Sequence, residues 1–266
     1  MSKLAVCIEG VALLGPGLAD WPAARAVLAG ESPYRAAPTV VPAPALLPPN
    51  ERRRSGTAVK IALTVGAAAL EACGREAAGI ATVFASSSAD GDTCHAICET
   101  LAGPERLISP TRFHNSVHNA PAGYWSIATR SMAPSTSVCG YDASFGAGLL
   151  EACALVHALG EAVLLFAYDA PYPQPLRAKR PVADAFGTAL VLAPATAGHG
   201  LARLELELGA QAPSGLEDAA LETLRRGIPT ARCLPLLGLL ARAEPGTAVL
   251  DYLDELRLVV VLAPCA

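Results

Sequence analysis

The residues best placed to do chemistry lie between Pro134 and Ala152, which read P-S-T-S-V-C-G-Y-D-A-S-F-G-A-G-L-L-E-A. A short β-branched run leads into a tight polar and glycine turn, and the turn leads into a long helix of Ala, Leu and Gly. That shape is a nucleophile elbow. A side chain held where a buried strand becomes a helix meets the positive end of the helix dipole, which favours negative charge. Two side chains there carry chemistry. Cys139 offers a thiol, which carries an acyl group when its thiolate is stabilised. It falls in the predicted strand, away from the helix end, and core packing is the stronger reading of it. Asp142 stands where the helix begins, and a carboxylate there is a good N-cap.

Three other clusters carry residue types that could do chemistry. His114 and His118 form an H-x-x-x-H pair, a metal-binding spacing if both sit on one helix. The intervening Asn-Ser, the nearby Pro121 and the lack of a third ligand favour polar packing or an interface role. Cys94, His95 and Cys98 resemble a metal cluster on paper, but buried helix cysteines are the commoner case. Ser86-Ser87-Ser88 with Asp90, Gly91 and Asp92 forms a polar turn before a helix. Without a lysine or the spacing of a phosphate loop, turn and N-cap are the simpler roles.

The elements that must position these residues alternate between strand and helix. Strands are predicted at Leu4–Leu14, Ile80–Ala85, Ser135–Gly140, Ala162–Ala167, Gly187–Leu192, Leu201–Leu208 and Leu256–Ala263. Helices are predicted at Asp20–Leu28, Ser55–Gly74, Gly91–Leu101, Ala120–Arg130, Ser144–Leu159, Leu216–Arg225 and Leu234–Ala243. Glu31–Arg54, rich in proline, reads as an ordered excursion, and Ser109–Asn119 as an irregular polar stretch. Alternation of this kind predicts an α/β layered domain. Several strands are apolar throughout, as expected when helices cover both faces of a sheet.

Composition narrows the function classes. The chain has 266 residues, 52% apolar and 17% charged, with a net charge of −4. A sizeable core is expected, and disorder is not. No Lys/Arg block or basic-aromatic stripe points to nucleic acid. No apolar run reaches about 18 uncharged residues, so no membrane span is predicted. Low charge content leaves apolar surface to hide, which favours a partner chain. Cys7, Cys73, Cys94, Cys98, Cys139, Cys153, Cys233 and Cys265 are scattered with no C-x-x-C pair. They read as buried reduced thiols in a cytoplasmic protein. The apolar start is broken by Glu9 and a Gly-Pro-Gly turn, so it reads as a strand and turn rather than a signal peptide.

The segment Pro134–Ala152 resembles the elbow of the β-ketoacyl synthases of the thiolase superfamily, whose pattern is Gly-Pro-Ser, a strand, then Ala-Cys-Ser/Ala before a small-residue helix. The likeness extends through VCIEGVALLGPGLADWPAARAVLAGES, FASSSADGDT, SPTRFHNSVHNAPAGYWSI, EAVLLFAYDAP and DAFGTALVLAP, in the family's order, across about Leu4–Pro194. It implies a thiolase-like layered fold: a single N-terminal-type half over residues 1–200, completed by a shortened C-terminal portion over 201–266. Counting from Pro134, the position of the synthase cysteine falls on Asp142. None of His95, His114, His118, His157 or His199 sits in a segment resembling the histidine motifs of the family's second half.

The resemblance therefore implies a scaffold of an acyl-condensing enzyme without its nucleophile, similar to a chain-length factor. Such a subunit pairs with a full-length ketoacyl synthase and shapes a tunnel for a polyketide or aryl polyene chain on an acyl carrier protein. In the superfamily the strand before the elbow pairs across the dimer. That places Pro110–Gly140 at the interface, with His114, His118, Asn119, Ser135 and Ser137 as interface candidates. No catalytic residue, cofactor or metal is then expected. Two alternatives stand beside this reading: a homodimeric scaffold binding an acyl group or carrier protein, and an active acyltransferase using Cys139.

Overall fold

The computed structural model of the protein describes residues 3–196 and 200–265. His199 lies outside them. The first elements are β1 (Leu4–Leu14), α1 (Trp21–Leu28), α2 (Pro49–Arg54) and α3 (Thr57–Cys73). Then come β2 (Ala81–Ala85), α4 (Gly91–Ala102), α5 (Pro110–Asn115), α6 (Ala120–Thr129) and β3 (Ser135–Val138). A 3-10 turn, Tyr141–Ala143, enters α7 (Ser144–Leu159), followed by β4 (Val163–Asp169), α8 (Leu176–Lys179) and β5 (Phe186–Pro194). Next are β6 (Ala202–Gly209), α9 (Ala219–Gly227), a second 3-10 turn (Thr230–Cys233), α10 (Leu234–Arg242), β7 (Gly246–Asp251) and β8 (Arg257–Pro264).

All eight strands form one mixed sheet in the order β3-β2-β4-β5-β1-β6-β8-β7. β2 runs parallel to β3 and β4, and the other neighbours are antiparallel. β2 and β4 are buried along their whole length, and β5 along all but its last residue. Helices cover both faces there, which is why those sequences are continuous apolar runs. One face packs on α3 and α6, through Ile61, Val65 and Trp125. The other packs on α7, α10, α1 and α9, through Leu149, Leu237, Leu28 and Leu224. β6 instead alternates: Ala202, Leu204 and Leu206 are buried, while Arg203, Glu205 and Glu207 are not. Only one side of that part of the sheet is covered.

Local signals set the helix starts. The Asp20 side chain accepts the Ala23 N–H at 2.8 Å, and Asp90 accepts that of Thr93 at 3.0 Å, each capping its helix. Tyr141–Leu159, α7 together with the 3-10 turn before it, is long and apolar enough by composition to cross a membrane. Here Phe145, Leu149, Ala152, Cys153 and Val156 place one of its faces in the core beneath the sheet.

The turn that follows β3 and the end of β7, from opposite ends of the sheet, come together at the start of α7. Gly146 in the first turn of α7 lies against the end of β7; a Cβ there would fall 2.3 Å from the Asp251 carbonyl oxygen. Only glycine allows that approach.

Several expectations need correction. Ser109–Asn119 is not wholly irregular, because Pro110 starts α5, where its missing N–H costs nothing. Pro49 starts α2 inside the proline-rich excursion in the same way. β7, absent from the predicted strands, is a short edge strand whose alternation is brief. The cysteines are not uniformly buried: Cys7, Cys153 and Cys233 are, Cys73 and Cys265 are partly so, and Cys94, Cys98 and Cys139 are exposed.

Candidate functional site

β3 delivers the chain to the strand-to-helix turn, where the backbone takes an uncommon conformation. Tyr141 sits at φ 55°, in the left-handed region. For a bulky residue this costs on the order of 1–3 kcal/mol and is concentrated at sites where geometry matters. Two contacts hold it. Ser144 Oγ accepts the Gly140 N–H at 3.1 Å and donates to the Tyr141 carbonyl at 2.7 Å. The Arg180 guanidinium lies 3.7 Å from the centre of the Tyr141 ring, a cation–π contact. The elbow predicted from the sequence is thus present.

Asp142, the next residue, does not cap the helix as expected. α7 begins without any side-chain cap. The Asp142 carboxylate is instead gripped by two arginines. Oδ1 accepts from Arg180, and Oδ2 accepts from Arg232 Nη2 at 2.8 Å. Arg232 Nη1 donates in turn to Asp251 at 2.9 Å. Each of the two carboxylate oxygens thus has a guanidinium partner, with which the Asp142 charge is compensated without a helix N–H. Arg180 comes from the turn after α8, Arg232 from the second 3-10 turn, and Asp251 from the end of β7. The network ties the elbow to the far edge of the sheet.

Its chemistry is that of a clasp. A carboxylate attacking a thioester would form an acyl anhydride, which is more reactive than the thioester it came from. Transfer to Asp142 therefore runs uphill, and both its oxygens are already engaged by cations.

Cys139 is not the core residue expected. β3 ends at Val138, and the Cys139 side chain is exposed, its thiol directed at the Ser87 carbonyl at 3.6 Å. A neutral carbonyl holds the S–H proton and removes none, so this contact does not generate a nucleophile.

The serine turn after β2 receives a carboxyl group from the chain itself. Asp169, fully buried at the end of β4, accepts the Ser87 N–H at 2.9 Å and the Ser87 hydroxyl at 2.6 Å on one oxygen. Its other oxygen accepts the Thr230 N–H at 2.9 Å and hydroxyl at 2.6 Å. Burial pushes the Asp169 carboxyl above its ordinary range, and the Ser87 and Thr230 bonds oppose that shift. Asp169 locks the ends of β2 and β4 to the 3-10 turn that carries Arg232. Sequence reasoning missed it; the available signal was a lone acidic residue ending an apolar strand.

His114 and His118 are not on one helix, since α5 ends at Asn115. The exposed His114 ring meets Tyr124 edge-on, and His118 Nε2 lies 3.2 Å from the Ser86 carbonyl. Asn119 is exposed just before α6, and Ser135 and Ser137 lie on β3. Cys94 and Cys98 stand on α4, which buries no side chain, a correction to their reading as core residues. Among the described residues, no group of three His, Cys, Asp or Glu converges.

β3 is the end strand of the sheet. In the segments before and after it in sequence, apolar side chains face solvent: Leu107, Phe113, Val117, Ile127, Met132 and Tyr141, with Met132 96% exposed. These and Leu101 are seven of the fourteen large apolar side chains exposed among the described residues. Half of them thus fall in one stretch of the chain, residues 101–141, and Phe113 and Val117 line one shallow pocket with Pro110, His114, Asn119, Ala120 and Gly123.

Residues 22–228 match the family model described as β-ketoacyl synthase, N-terminal domain. No curated protein matches the chain. Solved structures share its fold, a single thiolase-like half. A chain of the ketosynthase ApeO in complex with its chain length factor ApeC, from Xenorhabdus doucetiae, is 23% identical with a TM-score of 0.74, covering 97% of this chain and 100% of that one. A chain of the ishigamide ketosynthase/chain length factor is 14% identical, TM-score 0.71, with 98% and 100% covered. The ketosynthase from module 1 of the bacillaene synthase of Bacillus amyloliquefaciens is 13% identical, TM-score 0.57, with 81% of this chain but only 47% of that one covered.

Proposed function

The chain belongs to the β-ketoacyl synthase family, N-terminal domain, and on that premise we propose that it is a non-catalytic, chain-length-factor-type partner subunit. The carrying observation is Asp142 at the elbow, held by Arg180 and Arg232 where condensation would need a thiolate. The network fills the position with a structural ion cluster. The partner is a full-length ketoacyl synthase, which supplies the cysteine and histidines. The substrate is a growing polyketide or aryl polyene chain on an acyl carrier protein in the cytoplasm. Residues 1–200 form the N-terminal-type half, and residues 201–266 complete the domain by adding β6, β7 and β8 to its sheet.

The surface supports this reading. The open edge of β3, which carries Ser135 and Ser137, suits strand pairing with a partner, and His114, His118 and Asn119 are proposed to join that interface. Two solved relatives of comparable length come from structures described as ketosynthase with chain length factor.

The test is coexpression with a full-length synthase from the same genome, pull-down, and transfer from a labelled acyl carrier protein. A heteromer in which only the partner's cysteine takes label supports the proposal. A stable homodimer indifferent to any synthase would make the chain an acyl- or carrier-protein-binding scaffold instead. Label on this chain, abolished by Cys139→Ala, would make it an acyltransferase.

A further inference from the structure

Away from the elbow, two cysteines distant in sequence meet at the seam of the sheet. Cys7 in β1 and Cys265 just past β8 bring their sulfurs to 3.5 Å although 258 positions separate them. Both are reduced. Cys7 is buried and Cys265 partly exposed. The seam is where β6 and β8 join the five strands that precede them. Its ladder is short, running from Leu4 opposite Leu206 only to Ile8 opposite Ala202. The β6–β8 ladder beyond it is longer, from Ala202 opposite Pro264 to Gly209 opposite Arg257. Beyond Ile8 the Leu201 N–H still reaches the Ile8 carbonyl at 2.7 Å, and the Cys265 N–H reaches the Leu201 carbonyl at 3.3 Å. The tail carrying Cys265 is therefore fixed by backbone bonds beside β1.

We propose that Cys7 and Cys265 form a reversible disulfide that clasps β6, β7 and β8 to the β1 side of the sheet. The sulfurs must close from 3.5 Å to about 2.05 Å, and because β6 lies between β1 and β8 the closure draws the end of β8 towards β1. In a reducing compartment such a bond is transient and senses oxidation.

The oxidant is a low-molecular-weight disulfide, RSSR. The more accessible Cys265 loses its proton and attacks one sulfur of RSSR, forming a mixed disulfide and releasing RS⁻, which takes up a proton. Cys7 then loses its proton and attacks the Cys265 sulfur, forming the Cys7–Cys265 bond and releasing the second RS⁻. Two protein thiols are oxidised, and one RSSR becomes two RSH. Burial, then the bond to Cys265, pushes the Cys7 thiol up to about 12. Cys7 is accordingly the resolving thiol and not the first to react.

The full chain is incubated with oxidised glutathione, digested without reduction and mapped by mass spectrometry. The expected product is a peptide pair joined through Cys7 and Cys265, two hydrogens lighter than the sum of its parts. It is reversed by dithiothreitol and absent in Cys265→Ser. The oxidised wild type should melt several degrees higher than the reduced form, because the closed loop is very long, and Cys265→Ser should show no such rise. Recovery of Cys265 as a glutathione adduct with Cys7 still a thiol, or a cross-link formed only in denaturant, overturns the proposal. The mapping uses wild-type protein, so it stands even if a Cys7 variant fails to fold.

Discussion

The two edges of the sheet are treated in opposite ways. At one end, β7 is covered by its own chain: the Ser214 N–H donates to the Val249 carbonyl at 2.9 Å, and the Val249 N–H donates to Ser214 Oγ at 2.9 Å. Glu222 pins that cover, accepting the Leu216 N–H at 3.0 Å while bound by Arg225 and Arg226. At the other end, β3 has β2 as its one strand neighbour among the described residues, and its own side chains, Ser135, Thr136, Ser137 and Val138, are exposed or half-buried. Exposed edges are aggregation templates that proteins cover or charge. The chain thus covers one edge of its sheet and leaves the backbone of the other open, the side on which the proposed partner would pair.

The largest expected effect comes from charging the open face. Phe113→Asp should weaken binding of a full-length synthase at least ~30-fold, about 2 kcal/mol, as at an interface hot spot. Because Phe113 is 67% exposed, its melting temperature should barely move. Titration calorimetry and thermal melts separate the two; unchanged affinity would show that this face has another use.

Blocking the edge backbone should cost less. The Pro134 and Val138 carbonyls face β2, accepting the Thr82 and Ser86 N–H groups at 3.0 and 3.3 Å. Alternation then turns the backbone of Ser135 and Ser137 outward. Ser137→Pro removes one outward donor without touching the β2 ladder, and a roughly tenfold loss of partner affinity is expected. Equal loss of fold and affinity would contradict this placement.

The elbow clasp links the two edges, so Asp142→Ala should lower stability by about 1–2 kcal/mol, discounted for partial solvent screening. Urea melts check this. Asp142→Cys should lose similar stability, because it too removes the carboxylate that Arg180 and Arg232 share.

Acid should uncover the protected edge, with the smallest effect. Arg225 and Arg226 bonding, with the Leu216 N–H, holds the Glu222 carboxyl down at about 2, against an ordinary 4.5. A lowered folded value means that this stabilisation is complete above about 4.5 and is lost as pH falls towards about 2. Light scattering should rise in that window, and Glu222→Gln should show the same rise at neutral pH. Asp169 acts in the opposite sense: its raised carboxyl favours the fold most below 3.8, and that contribution is lost as pH rises through its folded value.

Much of this was legible in the sequence. Continuous apolar runs marked the strands buried on both faces, and Asp20 and Asp90 announced their helices. The turn between β3 and α7 could be read from residue types alone. What could not be read was non-local. The arginines on Asp142 lie 38 and 90 positions away, and Thr230 lies 61 positions from Asp169, in segments with no periodic signal. Cys139 was misread because one residue decides whether a side chain belongs to a strand or to the turn after it.

The most direct test of the central claim is product formation by this chain reconstituted with a full-length synthase and loaded acyl carrier protein, with one cysteine replaced at a time. The account predicts that replacing the synthase's elbow cysteine abolishes turnover, whereas Cys139→Ser in this chain leaves it unchanged. Turnover that survives the first change and disappears with the second would contradict it.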